Sequence, residues 1–323
     1  MGRDLNVLIL MTLPEPVREQ YRAHLRAKFP ELVVNVADHH SKVGPYIGSA
    51  DVLLTHGSMI ADPVVRDAPN LKWIHALTTG TDGIDDLPSL RREVLLTSTR
   101  GIHGASMSEA ALLSMLALSR DFPRTVRDQD RRVWERRPAT LLEGKTVGIF
   151  GLGVIGAALA PRCKALGMTV VGVDPIKPEL AGVDRVHGWD EVLRVSGDLD
   201  YVVLLIPSSA GTRGIVNAEV LAAMKPTSYL INLGRGEVID DEALIRTLQE
   251  GRIAGAALDV FRREPLPRDH PFWSLPNIII TPHQGGAFDE YPKRALPIIE
   301  ENFRRFLAGD TENMINLVKH RWP

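Results

Sequence analysis

The sequence lacks the features that would tie a chain to a membrane or to an oxidising compartment. Its 323 residues include one cysteine, Cys163, so no disulfide can form within the chain, and the apolar helical stripe around it predicts a core position. No apolar stretch approaches the roughly 20 residues that a membrane-spanning helix needs. The apolar run at residues 7–11 is short and leads into Pro14, which indicates a strand rather than a signal peptide. We therefore expect a soluble, cytoplasmic protein with no membrane partner.

Charge of one sign is not in excess either. The formal net charge is −2 and the isoelectric point is near 6.6, which argues against nucleic acid or an acidic membrane as the main partner. Arginines cluster at residues 120–137, but acidic residues are interspersed among them, which favours a solvated helical face. No Gly-x-Ser-x-Gly motif supports serine hydrolysis. His39 and His40 lack metal-ligand spacing with other residues, so no metal site is predicted.

Short apolar strands alternate with helical patterns along most of the chain. Strand candidates lie at residues 7–11, 32–36, 51–55, 72–77, 94–97, 147–150, 169–173, 201–206, 229–232, 256–259 and 278–281, and helical patterns at 15–28, 106–120, 242–250 and 291–308. This alternation predicts an α/β fold with parallel, doubly wound sheets, and the length suits two domains. Residues 106–120 are apolar around most of the helix, so we expect this helix to be buried between the domains.

A glycine motif follows the strand at residues 147–150 and precedes a helix and a second strand. Gly151 permits a tight turn, Gly153 lets the backbone approach a pyrophosphate, and Gly156 lets helix and strand pack closely. The helix N-terminus offers N–H groups and a positive dipole end to the phosphates. Asp174, at the end of the second strand, can accept hydrogen bonds from ribose hydroxyls and would repel a 2′-phosphate. The motif therefore predicts a dinucleotide-binding domain that prefers NADH to NADPH.

Three predicted strands end close to residues that suit chemistry on a carboxylic acid. Arg235, Glu264 and His283 each follow a strand, and ligands bind beyond the carboxyl ends of parallel strands. The guanidinium can bind a carboxylate and polarise a carbonyl, the histidine can donate a proton, and the glutamate can raise the histidine pKa. With a hydride from a nicotinamide, this set would reduce a 2-oxo acid or oxidise a 2-hydroxy acid.

These motifs, in this order, resemble the D-isomer-specific 2-hydroxyacid dehydrogenases. The resemblance runs from about residue 72 to residue 307, and it is carried by residues 151–156, 232–236, 258–261 with 264–267, and 281–283. It implies that Arg235 binds the substrate carboxylate, that His283 is the acid/base and that Glu264 is its partner. It also implies a product of D configuration and the short form of the family, without an additional regulatory domain.

The resemblance extends the predicted site to the cofactor and to a substrate loop. It implies that Asp259 contacts the nicotinamide side and that the backbone at Thr79 and Gly80 receives the substrate carboxylate. The full set of predicted NAD-binding residues is Gly151, Leu152, Gly153, Val154, Ile155, Gly156, Asp174, Pro207, Thr212, Asp259 and Gly285.

The resemblance also implies two discontinuously connected domains. A flavodoxin-like substrate domain would comprise residues 1–103 and 289–323. A Rossmann-type NAD-binding domain would comprise residues 104–288, including the interdomain helix and a dimer arm, with the active-site cleft between the two.

Trp134 stands among charged residues in the connector at residues 121–143. A large apolar ring is poorly placed in water, so we expect Trp134 to be covered. In the resembled family this connector belongs to a two-fold dimer interface, which implies a homodimer with Trp134 at or near the interface. The alternative is that Trp134 folds back onto its own domain.

Two functions stay open at this point. The first is NAD(H)-dependent interconversion of a small 2-oxo acid and its D-2-hydroxy acid. The second is an NAD(H)-sensing binding protein, like the co-repressors that resemble this family, because such proteins can retain the same three residues. The loops at residues 56–59 and 78–83 contain no lysine or arginine, which favours an unphosphorylated substrate.

Overall fold

The computed structural model describes residues 5–176 and 179–319, apart from the side chain of Ser58. The chain forms two compact units. The discontinuous unit comprises residues 1–102 and 288–323, and the central unit comprises residues 103–287. The resemblance places the two boundaries one residue later in each case.

Twelve strands and ten α-helices are found in the described residues. The strands are β1 (Asn6–Leu10), β2 (Val33–Ala37), β3 (Val52–Thr55), β4 (Trp73–Ala76), β5 (Leu95–Ser98), β6 (Thr146–Phe150), β7 (Thr169–Val173), β8 (Arg185–His187), β9 (Tyr201–Leu204), β10 (Tyr229–Asn232), β11 (Gly255–Leu258) and β12 (Ile278–Ile280). The α-helices are α1 (Glu15–Lys28), α2 (Gly44–Ile47), α3 (Asp62–Arg66), α4 (Gly104–Ser119), α5 (Phe122–Arg131), α6 (Val154–Ala165), α7 (Val192–Ser196), α8 (Ala218–Ala223), α9 (Asp241–Gln249) and α10 (Tyr291–Leu307). Short 3-10 helices lie at His40–Lys42, Gly57–Met59, Trp189–Glu191, Gly236–Val238, Pro271–Ser274 and Thr311–Asn313.

The discontinuous unit is built on a parallel sheet with the strand order β2-β1-β3-β4-β5. This is the order of flavodoxin-like folds. Strands β3 and β4 are buried throughout, as expected for parallel strands covered on both faces. Helix α10 returns to this unit and packs Phe303 edge-on against the indole of Trp73, with ring centroids 4.8 Å apart.

The central unit is built on a parallel sheet with the order β12-β11-β10-β9-β6-β7-β8. The chain runs from β6 outward through β7 and β8, and then returns to β9 on the other side of β6. This reversal is the topological switch point of a Rossmann fold. The predicted fold class, with two doubly wound parallel-sheet units, is therefore confirmed.

The sequence patterns located the predicted elements to within two residues at each end. Helix α9 is capped by Asp240, whose Oδ1 accepts a hydrogen bond from the Ala243 N–H at 3.0 Å, and Gly251 follows it with a φ of 64°. Cys163 is fully buried and burial raises its pKa to about 12, which confirms a core residue. None of the helices in the described residues is long and apolar enough to span a membrane.

The sequence patterns gave no bounds for several elements, among them β8, α2, α3, α5, α7 and α8. Strand β8 has only three residues at the sheet edge, so it offers no apolar run. Helix α5 lies in the segment that we expected to be a connector with a solvated helical face. None of its residues is buried within the chain.

The expectation that this helix is buried holds within the chain for one face of α4 and is wrong for the other. The helix buries a stripe that includes Met107, Ala111 and Met115, because this face packs against α6 and the sheet. Its other face leaves Leu113 65% and Leu116 42% exposed. An apolar surface on all sides of this helix therefore does not mean burial on all sides.

Candidate active site

The glycine motif forms the turn from β6 into α6. Gly151 has a φ of 99°, a left-handed conformation that favours glycine. A Cβ atom at Gly156 would overlap the carbonyl oxygen of Gly151, so Gly156 permits the close packing of α6 on the turn. A Cβ atom at Gly153 would meet no described atom within 4 Å. Packing within the protein therefore explains Gly151 and Gly156 but not Gly153.

Asp174 lies beside this turn at the carboxyl end of β7. Its Oδ2 accepts a hydrogen bond from the Leu152 N–H, and its Oδ1 accepts one from the Ile176 N–H, each at 2.9 Å. These bonds fix the carboxylate next to the start of α6, where Val154 is the first helical residue. Lys177, three residues after Asp174 in the sequence, lies outside the described residues.

The loop after β9 lies across the switch point from the glycine turn, because β9 pairs with β6. Thr212 is buried, and its hydroxyl donates to the carbonyl oxygen of Pro207 at 2.6 Å. The same hydroxyl accepts a hydrogen bond from the Ser209 N–H at 2.9 Å. Two of the predicted cofactor residues, Pro207 and Thr212, therefore hold one loop closed beside the glycine turn.

Arg235 is carried by a tightly constrained loop after β10. The Asn232 side chain accepts from the Gly234 N–H at 3.1 Å and donates to the Arg235 carbonyl at 2.9 Å. A Cβ atom at Gly234 would lie 2.5 Å from the carbonyl oxygen of Ile206, and one at Gly236 would overlap the neighbouring loop backbone. Both glycines are therefore required by close approach, and they fix the point from which the Arg235 side chain extends.

Glu264 and His283 form an ion pair at the ends of neighbouring strands. His283 Nδ1 lies 2.7 Å from Glu264 Oε2, and Glu264 Oε1 accepts from the Phe261 N–H at 2.9 Å. The hydrogen bond to Glu264 outweighs desolvation and raises the pKa of His283. Desolvation opposes ionisation of Glu264, but the bonds from His283 and Phe261 outweigh it and lower the Glu264 pKa. The Arg235 charge lowers both pKa values, so the guanidinium lies within electrostatic reach of the pair.

Asp259 is buried at the end of β11 and holds the loop that carries His283. Its Oδ1 accepts from the Thr281 hydroxyl at 2.5 Å and from the Gln284 N–H at 2.9 Å. Its Oδ2 accepts from the Gly285 N–H at 2.9 Å, and its carbonyl oxygen accepts from the His283 N–H at 2.8 Å. The carboxylate for which the resemblance implies a cofactor contact thus also organises the His283 loop.

In the discontinuous unit, the loops after β3 and β4 meet at the carboxyl end of the sheet. A Cβ atom at Gly57 would overlap the carbonyl oxygen of Asp82, so the two loops are in close contact. The Thr78 hydroxyl donates to the Gly80 carbonyl at 2.6 Å, which shapes the turn that contains Thr79. Burial lowers the pKa of His56 to about 4, so this histidine is neutral at neutral pH.

The structure thus brings Arg235, Glu264 and His283 to one edge of the central sheet. It places the glycine motif, Asp174, Pro207 and Thr212 around the switch point of the same sheet, and Thr79 and Gly80 in the other unit. Our sequence reasoning missed Asn232 and Thr281 as supports of the site loops. Both are polar residues at a strand end, which is the signal that would have found them. Among the described residues no group of three or more His, Cys, Asp or Glu side chains is arranged to hold a metal ion.

Comparisons with known proteins bear directly on this arrangement. Residues 112–285 match the family model of the D-isomer specific 2-hydroxyacid dehydrogenase, NAD binding domain. The chain belongs to the D-isomer specific 2-hydroxyacid dehydrogenase family. The resemblance noted from the sequence motifs is therefore confirmed, and residues 112–285 of this dehydrogenase-family chain form its NAD-binding region.

Relatives of this 2-hydroxyacid dehydrogenase family member match most of its length. It is 36% identical to a D-3-phosphoglycerate dehydrogenase from Methanocaldococcus jannaschii over 84% of the chain and 52% of the relative. It is 33% identical to a glyoxylate reductase from Korarchaeum cryptofilum over 82% of the chain and 84% of the relative. The chain therefore spans about half the length of the phosphoglycerate dehydrogenase and most of the length of the reductase.

A solved structure matches nearly the whole family member. It is a D-isomer specific 2-hydroxyacid dehydrogenase from Xanthobacter autotrophicus in complex with NADPH and MES, with a TM-score of 0.83 and 30% sequence identity. The match covers 98% of both chains, so it includes both units.

The glycine turn generates a prediction that separates packing from ligand binding. Gly156→Ala should destabilise the ligand-free protein by about 1–3 kcal/mol, because its Cβ atom would overlap the Gly151 carbonyl. Gly153→Ala should leave the ligand-free stability nearly unchanged and weaken NADH binding, because its Cβ atom meets only space that a pyrophosphate would use. Urea unfolding and fluorescence titration with NADH measure the two effects. Unchanged NADH affinity in Gly153→Ala would contradict the assignment of the pyrophosphate site.

The His283–Glu264 pair generates a prediction about pH. If His283 donates the proton for reduction, the rate is full below the His283 pKa and falls as the pH rises through that raised value. Glu264→Gln removes the charge that raises this pKa, so the alkaline limb of the pH–rate profile should move to lower pH. The profile of kcat/KM for reduction measures the shift, with Glu290→Gln, on the other unit, as the control. An alkaline limb at the wild-type position would show that the pair does not set this pKa.

Proposed function

We propose that this chain is an NAD(H)-dependent oxidoreductase that interconverts a small 2-oxo acid and its D-2-hydroxy acid. The observation that carries the proposal is the 2.7 Å contact between His283 and Glu264, within electrostatic reach of Arg235 and at the carboxyl edge of a Rossmann sheet. A protonatable histidine with a raised pKa beside a guanidinium suits proton transfer to a carbonyl next to a carboxylate. The relatives described above carry the names of enzymes of this type, which favours catalysis over a sensing role.

The residues around the switch point suit a bound NAD molecule. The glycine turn and the start of α6 would hold its pyrophosphate, and Asp174 would accept hydrogen bonds from its ribose. When bound, the nicotinamide supplies the hydride that no side chain can supply. Pro207, Thr212 and Gly285 complete the set of residues that we propose to contact it.

The chain's own side chains would carry out the proton transfer. Because Nδ1 of His283 is engaged by Glu264, the proton for the substrate oxygen comes from Nε2. Arg235 binds the carboxylate of the substrate and polarises its carbonyl, and the ionised Glu264 stabilises the imidazolium before the transfer. In the direction of oxidation, neutral His283 accepts the hydroxyl proton at the same nitrogen.

The discontinuous unit supports a small, unphosphorylated substrate. We propose that the backbone at Thr79 and Gly80 also receives the substrate carboxylate. His56, on the adjoining loop, is neutral at neutral pH, and the turn after β4 carries the acidic residues Asp82 and Asp85. Neutral and acidic groups of this kind would not stabilise a phosphate. We therefore propose glyoxylate or hydroxypyruvate as the substrate in preference to a phosphorylated 2-oxo acid.

A turnover assay with purified protein tests the function. NADH oxidation should be seen with glyoxylate, hydroxypyruvate or a branched 2-oxo acid, and His283→Ala should lower kcat about 10²–10⁴-fold, the usual effect of losing a positioned acid. NADH affinity should change little, since His283 is proposed to act on the substrate. Tight NADH binding without turnover on any of these acids would support the sensing function instead.

Asp174 predicts that NADH is preferred to NADPH. Its carboxylate is fixed beside the glycine turn, where a 2′-phosphate would meet its negative charge. The Xanthobacter structure, which holds NADPH, makes the comparison informative. We expect a higher kcat/KM with NADH than with NADPH, and we expect Asp174→Asn to lower the ratio of these two kcat/KM values. A higher kcat/KM with NADPH in the wild type would refute the assignment.

Exposed apolar side chains favour a homodimer. Seven of the fourteen large apolar side chains that are exposed among the described residues lie between residues 113 and 141, on α4, α5 and the connector. They are Leu113, Leu116, Phe122, Val126, Val133, Trp134 and Leu141. Trp134 is 89% exposed, so the single chain does not cover it. We propose that a second copy of the chain covers this segment, since an apolar patch of this kind marks an interaction surface.

Removal of the Trp134 ring should weaken the dimer. Trp134→Ala should raise the dimer dissociation constant, because interface tryptophans often contribute 2 kcal/mol or more, about 30-fold. Sedimentation equilibrium of wild type and variant measures the constant. Trp273→Ala is the matched control, because Trp273 is 52% exposed in the same unit but lies outside the segment. A wild type that is monomeric at micromolar concentration would refute the dimer, and equal constants for both variants would remove Trp134 from its interface.

A further inference from the structure

The position of the His283 ring is set by its backbone more than by packing of its side chain. The His283 side chain is 49% exposed, and the hydrogen bond to Glu264 is made by a carboxylate that is itself 36% exposed. Partly exposed ion pairs contribute little holding power because water competes with them. The backbone of His283 has a φ of 50°, a left-handed conformation that a non-glycine residue adopts only when its surroundings impose it. Something other than the ring's own contacts must therefore fix this loop.

One side of the loop is fixed by Asp259. Its carboxylate and carbonyl oxygens together accept four hydrogen bonds, from Thr281, His283, Gln284 and Gly285. These donors lie on both sides of the His283 side chain along the chain. These hydrogen bonds attach the loop to Asp259, but they do not by themselves prevent the loop from shifting.

Side chains at the start of α4 also lie against the loop, at Gly285 and Gly286. A Cβ atom at Gly285 would lie 3.0 Å from Asp259 Oδ2 and 3.4 Å from Met107 Sδ. A Cβ atom at Gly286 would lie 3.2 Å from His103 Cδ2 and 3.8 Å from Met107 Sδ. At these two glycines the loop backbone therefore lies close to the Asp259 carboxylate and to side chains at the start of α4. Met107 is the one of these side chains that approaches both glycines, and it is only 8% exposed.

We propose that Met107 is a positioning residue for His283, acting through the Gly285–Gly286 backbone rather than by contact with substrate or cofactor. The thioether fills the space behind the loop, so that the four hydrogen bonds to Asp259 and the left-handed backbone are kept together. This keeps Nδ1 within bonding distance of Glu264. The proposal adds a residue to the proposed reaction and so rests on it for kinetics, but the position of the imidazole can be measured without turnover.

Removal of the thioether should loosen the His283–Glu264 pair. Met107→Ala opens a space behind the loop, so kcat for 2-oxo acid reduction should fall about 10–100-fold, the usual cost of a small misplacement of a reacting group. KM for NADH should change less than kcat, because among the proposed cofactor residues the variant reaches only those of the His283 loop and leaves the glycine turn and Asp174 in place. The pKa of His283 should fall towards its ordinary value, because Glu264 would be less closely paired with it. The other charged groups that act on this pKa are Arg235 and Asp259. Met107→Leu, which nearly conserves the volume, should restore kcat and the pKa.

Met115→Ala is the matched control. Met115 lies on the same face of α4, is fully buried in the same core cluster and loses the same atoms. It should lower the free energy of unfolding by a similar amount without changing kcat per folded molecule or the His283 pKa. A Met115→Ala variant with the same kinetic loss would reduce Met107 to a general stabilising role and overturn the proposal.

The His283 pKa is read by an NMR pH titration of the histidine ring protons in the ligand-free full chain. A lowered pKa in Met107→Ala, with a wild-type value in Met115→Ala and Met107→Leu, supports the proposal. A wild-type His283 pKa in folded Met107→Ala overturns it. This readout separates the proposal from the function: a wild type without turnover refutes the proposed reaction, while the titration still decides whether Met107 positions the imidazole.

Discussion

The arrangement of the site depends on one constraint: all strands of the central sheet are parallel, so all of them end at the same edge. Arg235, Glu264 and His283 are separated by up to 48 residues of sequence, yet they follow β10, β11 and β12, which are neighbours in the sheet. The glycine turn follows β6, at the point where the strand order reverses. A reordering of these strands would leave every motif intact and separate His283, the proposed proton donor, from Arg235, the proposed carboxylate-binding residue. The chemistry is therefore a property of the strand order as much as of the residues.

Within this arrangement the proposed proton transfer depends on a partly exposed contact. In the His283–Glu264 pair the histidine side chain is 49% and the glutamate side chain 36% exposed, so the pair is not held by burial of the ring. The rigid part is placed one layer behind it. Asp259 is 2% exposed. Its three side-chain hydrogen bonds and one backbone hydrogen bond all join it to the His283 loop, and they are shielded from water. The exposed His283 and Glu264 can thus meet a substrate, while the buried Asp259 keeps their geometry fixed.

The sequence was sufficient for the fold class and for the residues that carry a chemical signature. Alternation of strands and helices implied the doubly wound sheets, and strand ends followed by Arg, Glu and His implied the site, because both follow from local patterns and one topological rule. The pattern did not reveal β8, which has three residues, or the bounds of α5, which has few apolar residues. It also could not show that Asp259 supports the His283 loop, since three of its four hydrogen bonds come from the backbone N–H groups of residues 283–285, which carry no side-chain signal. The different roles predicted for Gly153 and Gly156 agree with the packing, because a Cβ atom has no room at Gly156 and open space beside it at Gly153.

Helix α4 illustrates why apolar residues around a helix cannot be equated with burial. One stripe, with Met107, Ala111 and Met115, faces the core of the central unit, and its first turns close the space behind the His283 loop. The opposite side carries Leu113 and Leu116, which are exposed and continue into the apolar segment that ends at Leu141. A helix that must pack on its own core and also present an apolar face to another molecule needs large apolar residues on both sides, and this removes the amphipathic signal. If a second copy covers that face, dimerisation would restrain the same helix that supports the proton donor, so assembly and catalytic geometry would be coupled through α4.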